Sequence, residues 1–107
     1  MSGARIELPR IIRRGDLVEV RVIIQHPMET GFRVDAWGKR VPRNAIHSLT
    51  CRYNGVEVFR ATLGTGIAAN PYLRFFTRAV DSGELEFWWI DDDEIEGRAR
   101  APITVTL

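Results

Sequence analysis

A chain of 107 residues, with 15 basic and 14 acidic side chains and a formal charge of +1, has the size of one domain and lacks the concentrated positive charge of a nucleic-acid binder. Its apolar share of 45% suits a globular core, and no apolar run approaches the roughly 20 residues of a membrane span. A single cysteine, Cys51, excludes a disulfide within the chain and leaves the redox compartment open.

Met1-Ser2-Gly3-Ala4-Arg5 leads straight into strand-like sequence, with no apolar signal core or twin-arginine leader, which taken alone suggests a cytoplasmic protein. Arg5–Leu8 reads as an edge strand limited by Pro9, and Arg10, Arg13 and Arg14 read as a solvated loop. After the Gly15-Asp16 turn, Leu17–Gln25 alternates strictly: Val18, Val20, Val22 and Ile24 point one way, Glu19, Arg21 and Gln25 the other. The 19 residues from His26 to Asn44 have no sustained period, and a loop this long in a compact domain is functional or disordered. Phe32, Val34, Trp37 and Val41 within it argue for packing against something.

Ile46–Tyr53 and Val56–Leu63 flank Asn54-Gly55, whose residues suit the two left-handed positions of a type I′ hairpin turn. Leu49, Cys51 and Tyr53 share a face of the first arm, and Phe59, Ala61 and Leu63 a face of the second. Gly64-Thr65-Gly66-Ile67-Ala68-Ala69 suits one short turn, Tyr72–Ala79 a strand, Asp81-Ser82-Gly83 a turn, and Glu84–Asp91 a further strand. The last strand is expected from Arg98 to Leu107, with Ala99, Ala101, Ile103, Val105 and Leu107 on one face and Pro102 marking an edge or bulge. No apolar stripe of helical spacing lasts three turns. Residues 1–107 are therefore expected to form a single all-β domain, an immunoglobulin-like β-sandwich of about seven antiparallel strands.

Candidate chemistry is sparse. Cys51 lies on a core face, where burial raises a thiol pKa and makes it inert. His26 and His47 lack the spacing of a metal pair, and His26, just before Pro27, is expected to brace the long loop by a hydrogen bond. Asp91-Asp92-Asp93-Glu94-Ile95-Glu96-Gly97 departs from a calcium loop, since Gly97 stands seventh and Pro102 twelfth, and it reads as a solvated hairpin turn. Gly64-Thr65-Gly66 has neither the third glycine of a dinucleotide fingerprint nor the lysine of a phosphate loop. No catalytic, cofactor or metal residue is assigned. A metal-dependent enzyme using His26, His47 and Asp91–Glu94 is the rival reading.

Leu85, Phe87 and Trp89 take the core side of their strand, leaving Glu86, Trp88 and Ile90 outside. Leu73, Phe75, Thr77 and Ala79 likewise leave Tyr72, Arg74, Phe76 and Arg78 outside. If these consecutive strands pair, Tyr72, Phe76, Trp88 and Ile90 form one outer aromatic patch with arginines beside it. Such a patch marks a partner site or the floor on which the long loop lies.

His26-Pro27-Met28-Glu29-Thr30-Gly31 resembles the HPMETG signature of the SoxZ family. The resemblance continues through Gly38-Lys39, Pro42-Arg43, Cys51-Arg52-Tyr53-Asn54-Gly55, Val58-Phe59, Ala69-Asn70-Pro71-Tyr72 and Trp89-Ile90-Asp91-Asp92-Asp93, in order along nearly the whole chain. Glu94-Ile95 stands where relatives carry a glycine turn, so that hairpin is expected to differ in shape.

The resemblance implies a non-catalytic, cofactor-free sandwich that forms a heterodimer with SoxY, the SoxYZ carrier of thiosulfate oxidation. SoxY holds the sulfur intermediate on a cysteine in a mobile Gly-Gly-Cys-Gly-Gly arm, and other Sox enzymes dock transiently to process it. Ile103-Thr104-Val105-Thr106-Leu107 contains no such cysteine, so this chain should carry no sulfur itself. The resemblance further implies a periplasmic protein exported together with SoxY. Together with the aromatic patch, it implies partner contacts at His26, Pro27, Met28, Glu29, Thr30, Gly31, Asn70, Pro71, Tyr72, Phe76, Trp88 and Ile90. The alternative is a generic immunoglobulin-like module that binds another protein, or pairs with itself when SoxY is absent. No membrane or nucleic-acid partner is expected.

Overall fold

The computed structural model describes residues 3–64 and 66–107. Met1, Ser2 and Thr65, the middle of the Gly64–Gly66 turn read from sequence, lie outside the described residues. Seven strands follow in order: β1 (Ala4–Glu7), β2 (Leu17–Ile24), β3 (Ile46–Tyr53), β4 (Val56–Thr62), β5 (Tyr72–Arg78), β6 (Gly83–Asp91) and β7 (Glu96–Ile103). They form two antiparallel sheets, ordered β1-β2-β5 and β4-β3-β6-β7.

Alternation builds the core as the sequence requires. Val18, Val20, Val22 and Ile24 of β2 are buried, as are Leu49 and Cys51 of β3 and Leu85, Phe87 and Trp89 of β6. Each fully buried side chain of this size contributes roughly 1.5–3 kcal/mol. Phe75 of β5 joins the sheets: it stacks on Phe59 of β4 with centroids 4.2 Å apart and meets Phe87 of β6 edge-on at 6.5 Å. Asn54 and Gly55 take the expected left-handed angles, φ 48° and 84°, at the β3–β4 turn.

Two expectations are corrected here. First, β5 and β6 do not pair: the chain crosses between sheets at residues 79–82, where the Tyr53 hydroxyl donates to the Asp81 carbonyl and accepts the Val80 N–H. The hydroxyl thus ties the end of β3 to a crossing 27 and 28 residues farther along the chain. Tyr72 and Phe76 consequently lie on the outer face of one sheet, and Trp88 and Ile90 on the outer face of the other. There is no single aromatic patch, and the long loop covers neither face: Tyr72, Phe76 and Trp88 remain 53%, 49% and 37% exposed.

Second, β7 starts earlier than expected and stops at Ile103. Beyond it the Ser82 hydroxyl accepts the Val105 N–H, and Thr106 pairs in parallel with Arg13. This closes the β1/β7 side of the sandwich and leaves Leu107 in solvent rather than in the core.

The long loop is an irregular hairpin, here called the finger. Glu29 and Asn44 exchange both backbone hydrogen bonds (2.7 and 2.9 Å), the Val41 N–H donates to the Arg33 carbonyl, and Val34 bridges Arg40. The molecule measures 59 × 21 × 20 Å, with a radius of gyration of 16.0 Å. A compact chain of this length would have about 13 Å. Strands of eight or nine residues span only about 30 Å, so the finger extends the long axis.

Trp89 packs across the sheet on Gly97, its register partner, and a Cβ at Gly97 would overlap the indole. Gly97→Ala should cost about 1–3 kcal/mol in urea unfolding. In a Trp89→Phe background the same change should cost clearly less, because the clashing indole atoms are gone; equal costs in both backgrounds would contradict this packing.

Candidate protein-interaction site

The finger is fastened to the sandwich by a buried polar buckle. His26 continues the core parity of β2 past Ile24, and Asp91 continues the core parity of β6 past Trp89, so the two face each other in the interior. The Met28 N–H donates to His26 Nδ1 at 2.9 Å, which leaves Nε2 to carry the proton and donate to Asp91 Oδ2 at 3.1 Å. The other carboxylate oxygen accepts the Asp93 N–H (2.9 Å) and the Ile95 N–H (3.0 Å).

Burial alone would push the Asp91 carboxyl up. The His26 hydrogen bond and the Ile95 and Asp93 amides outweigh it and hold the group below its ordinary value.

The next residue fastens the outgoing arm. The Ala45 N–H donates to Asp92 Oδ2 (3.1 Å), the Asp92 N–H donates to the Ala45 carbonyl (3.0 Å), and Arg43 reaches the same carboxylate at 3.3 Å. Asn70 holds the incoming arm: it donates its N–H to the His26 carbonyl (2.7 Å) and accepts the His26 N–H on Oδ1 (3.1 Å). Met28 is buried at φ 51°, an uncommon angle for a side chain of this size, and its sulfur accepts the Ile46 N–H at 3.3 Å.

Each member of the His26–Gly31 run thus has a physical task. His26 braces, Pro27 leaves the sheet, Met28 anchors, and Glu29 pairs with Arg33 at 2.7 Å. The Thr30 hydroxyl accepts the Phe32 N–H (3.1 Å), and Gly31 adopts φ 90° against Arg43. The turn after β6 is therefore not simply solvated as expected, since Asp91 is buried and Asp92 is engaged. Glu94 takes φ 60°, the angle that a glycine would favour.

The expected contact residues gather mainly as a collar at the finger's end of the sandwich. Pro27, Thr30, Asn70 and Tyr72 are exposed, while Glu29, Gly31 and Ile90 are half-buried. His26, Met28 and Pro71 are interior and support that surface from within instead of forming it. Phe76 and Trp88 lie farther along their strands on opposite faces. Phe32, Val34 and Trp37, expected to pack against something, stand exposed on the finger.

Cys51 is fully buried, and burial pushes its thiol up to about 12. Among the described residues no three or more His, Cys, Asp or Glu side chains converge as metal ligands. His47 is exposed, whereas His26 is buried.

The same sandwich recurs in solved structures. Superoxide reductase (neelaredoxin) from Ignicoccus hospitalis superposes with a TM-score of 0.71 at 23% identity, covering 95% of this chain and 79% of that one. An Archaeoglobus fulgidus superoxide reductase gives 0.65 at 20%, covering 94% and 86%. The sulfur carrier protein SoxY from Chlorobium limicola f. thiosulfatophilum gives 0.65 at 15%, covering 97% and 79%. At these identities the likeness concerns the fold alone, an immunoglobulin-like β-sandwich. No curated protein sequence matches the chain. The sequence model of the family described as sulphur oxidation protein SoxZ matches residues 6–102, and the chain belongs to the SoxZ family. Its role lies in a Sox sulfur-oxidation system.

Two measurements check the site. The lowered Asp91 carboxyl contributes stability that is fully present above the unfolded value, about 3.9, and is lost as pH falls through the lower folded value. Asp91→Asn should therefore lose about 1–3 kcal/mol at pH 7 and show a shallower stability decline below about pH 4 than the parent. Parallel curves would refute an ionised Asp91 carboxylate held by the His26 hydrogen bond and the two amides. Native Cys51 should react with a thiol reagent at pH 7 at least ~100-fold more slowly than in denaturant.

Proposed function

We propose that this chain is the non-catalytic subunit of a SoxYZ sulfur carrier in thiosulfate oxidation. It pairs one-to-one with SoxY and helps dock the enzymes that load and process the cargo. The SoxZ family match over residues 6–102 carries this reading. The geometry supports it in two ways. The one thiol is buried and held protonated, so a sulfur cargo has to ride on another subunit. A rigid sandwich with a fastened projection offers recognition surface without needing chemistry of its own.

The collar of Pro27, Glu29, Thr30, Asn70 and Tyr72 is the surface we assign to SoxY. Because Phe76 and Trp88 lie on opposite outer faces, one face can be occupied while the other stays open to a docking enzyme. The reading carries a periplasmic location with it, reached by export in company with SoxY.

Co-expression with SoxY from the same genome, followed by size-exclusion chromatography with light scattering, should give one peak at the mass of a one-to-one heterodimer. Separate elution in both reducing and oxidising buffer would reduce the chain to an immunoglobulin-like module of unassigned partner.

A further inference from the structure

Among the described residues, the two most solvent-exposed large apolar side chains apart from the C-terminal Leu107 lie on the finger, Trp37 at 85% and Phe32 at 78%, and Val34 on the same hairpin is 55% exposed. Exposed apolar groups so grouped are unfavourable in an isolated soluble protein and mark a contact surface. We propose that this finger tip is the anchor by which the chain grips its carrier partner, entering an apolar groove rimmed by carboxylates. The inference rests on the SoxY reading above and adds the surface that makes the contact.

The tip is held in shape before any partner arrives. Asp35 Oδ1 accepts the Trp37 N–H (2.9 Å) and the Lys39 N–H (3.0 Å), and the Asp35 N–H donates to the Lys39 carbonyl (2.8 Å). Glu29 takes a two-toothed grip on Arg33 farther down, and the Arg40 guanidinium lies 5.9 Å over the Phe32 ring. The His26–Asp91 and Asp92 contacts fix the finger's base. A projection fastened at base and tip loses little further freedom on binding, which favours affinity.

Area agrees with this assignment. Phe32 and Trp37 together offer roughly 300–400 Å², close to half of the ~800 Å² that each partner of a stable complex buries. The collar at the finger's base is continuous with it and can supply the remainder.

Charge selects the occupant. Residues 29–44 hold Arg33, Lys39, Arg40 and Arg43 against only Glu29 and Asp35. Glu29 is committed to Arg33, Asp35 to two amides, and Arg43 to Asp92. Among the described residues, Lys39 and Arg40 have no carboxylate within salt-bridge distance, so the matching rim is acidic. Two copies meeting tip to tip would instead oppose Lys39 and Arg40 with their own images.

The test titrates SoxY with the full chain by calorimetry, alongside two double variants. Phe32→Ser/Trp37→Ser should weaken binding at least about 100-fold with its melting temperature unchanged, since both side chains are exposed. Lys39→Glu/Arg40→Glu should weaken it at least about 10-fold and flatten its dependence on salt. If the parent chain binds SoxY and both variants bind within about threefold of it, the anchor is elsewhere and the SoxY reading stands. If the parent chain itself fails to bind, both readings fall. A parent homodimer in light scattering that Phe32→Ser/Trp37→Ser dissolves without weakening SoxY binding would make the tip a self-association surface and overturn the inference.

Discussion

The hydrogen bond between His26 and Asp91 sets what this molecule presents to its surroundings. Both groups are about as buried as the core, where an unpaired imidazole or carboxylate would cost several kcal/mol. Paired, each completes the other, and the carboxylate's second oxygen shapes the turn after β6. The finger leaves the sandwich at this point, so its direction follows from a contact made inside the protein. The neighbouring Asp92 repeats the arrangement on the other arm, and two consecutive acidic residues therefore hold both ends of a 16-residue projection spanning 29–44.

Much of the fold was legible because side-chain parity is a hard constraint in a half-buried strand. Val18 to Ile24, Leu85 to Trp89 and the Asn54-Gly55 turn could hardly be read otherwise. Parity also held the buckle in plain view: His26 and Asp91 each extend a buried series by one step. The bracing role of His26 was legible, but Asp91 as its partner was not, because runs of acidic residues so often belong to solvated turns. Strand partnership was not legible, since alternation says which side a residue takes and nothing about which sheet the strand joins. The crossing after Ala79, fixed by the Tyr53 hydroxyl, is what separates Phe76 from Trp88. The finger tip was hidden for a third reason: apolar residues in a loop commonly predict packing, and here nothing among the described residues covers them.

Sandwiches of this kind serve proteins named as superoxide reductases and as a sulfur carrier alike. The likeness is one of fold, and what each protein does depends on the residues placed on it. In this chain the fold carries a projecting hairpin and a collar of exposed side chains, while the one thiol stays in the core among Leu49, Tyr53 and Phe87. The exposed side chains and the one thiol are thereby separated in space, with Cys51 fully buried and the collar at the surface.

The buckle also imposes an order on folding. Its members lie at positions 26, 43–46, 70 and 91–95, with separations of 65 residues for His26 to Asp91 and 47 for Ala45 to Asp92. Contacts this distant close late, after the loops between them have been gathered in. Residues 29–44 make their own bridges locally, whereas the ties of their base to Asp91 and Asp92 need the far end of β6. The set of ties that aims the projection is complete once the β6–β7 hairpin is in place, so a rigid finger is a mark of the finished sandwich.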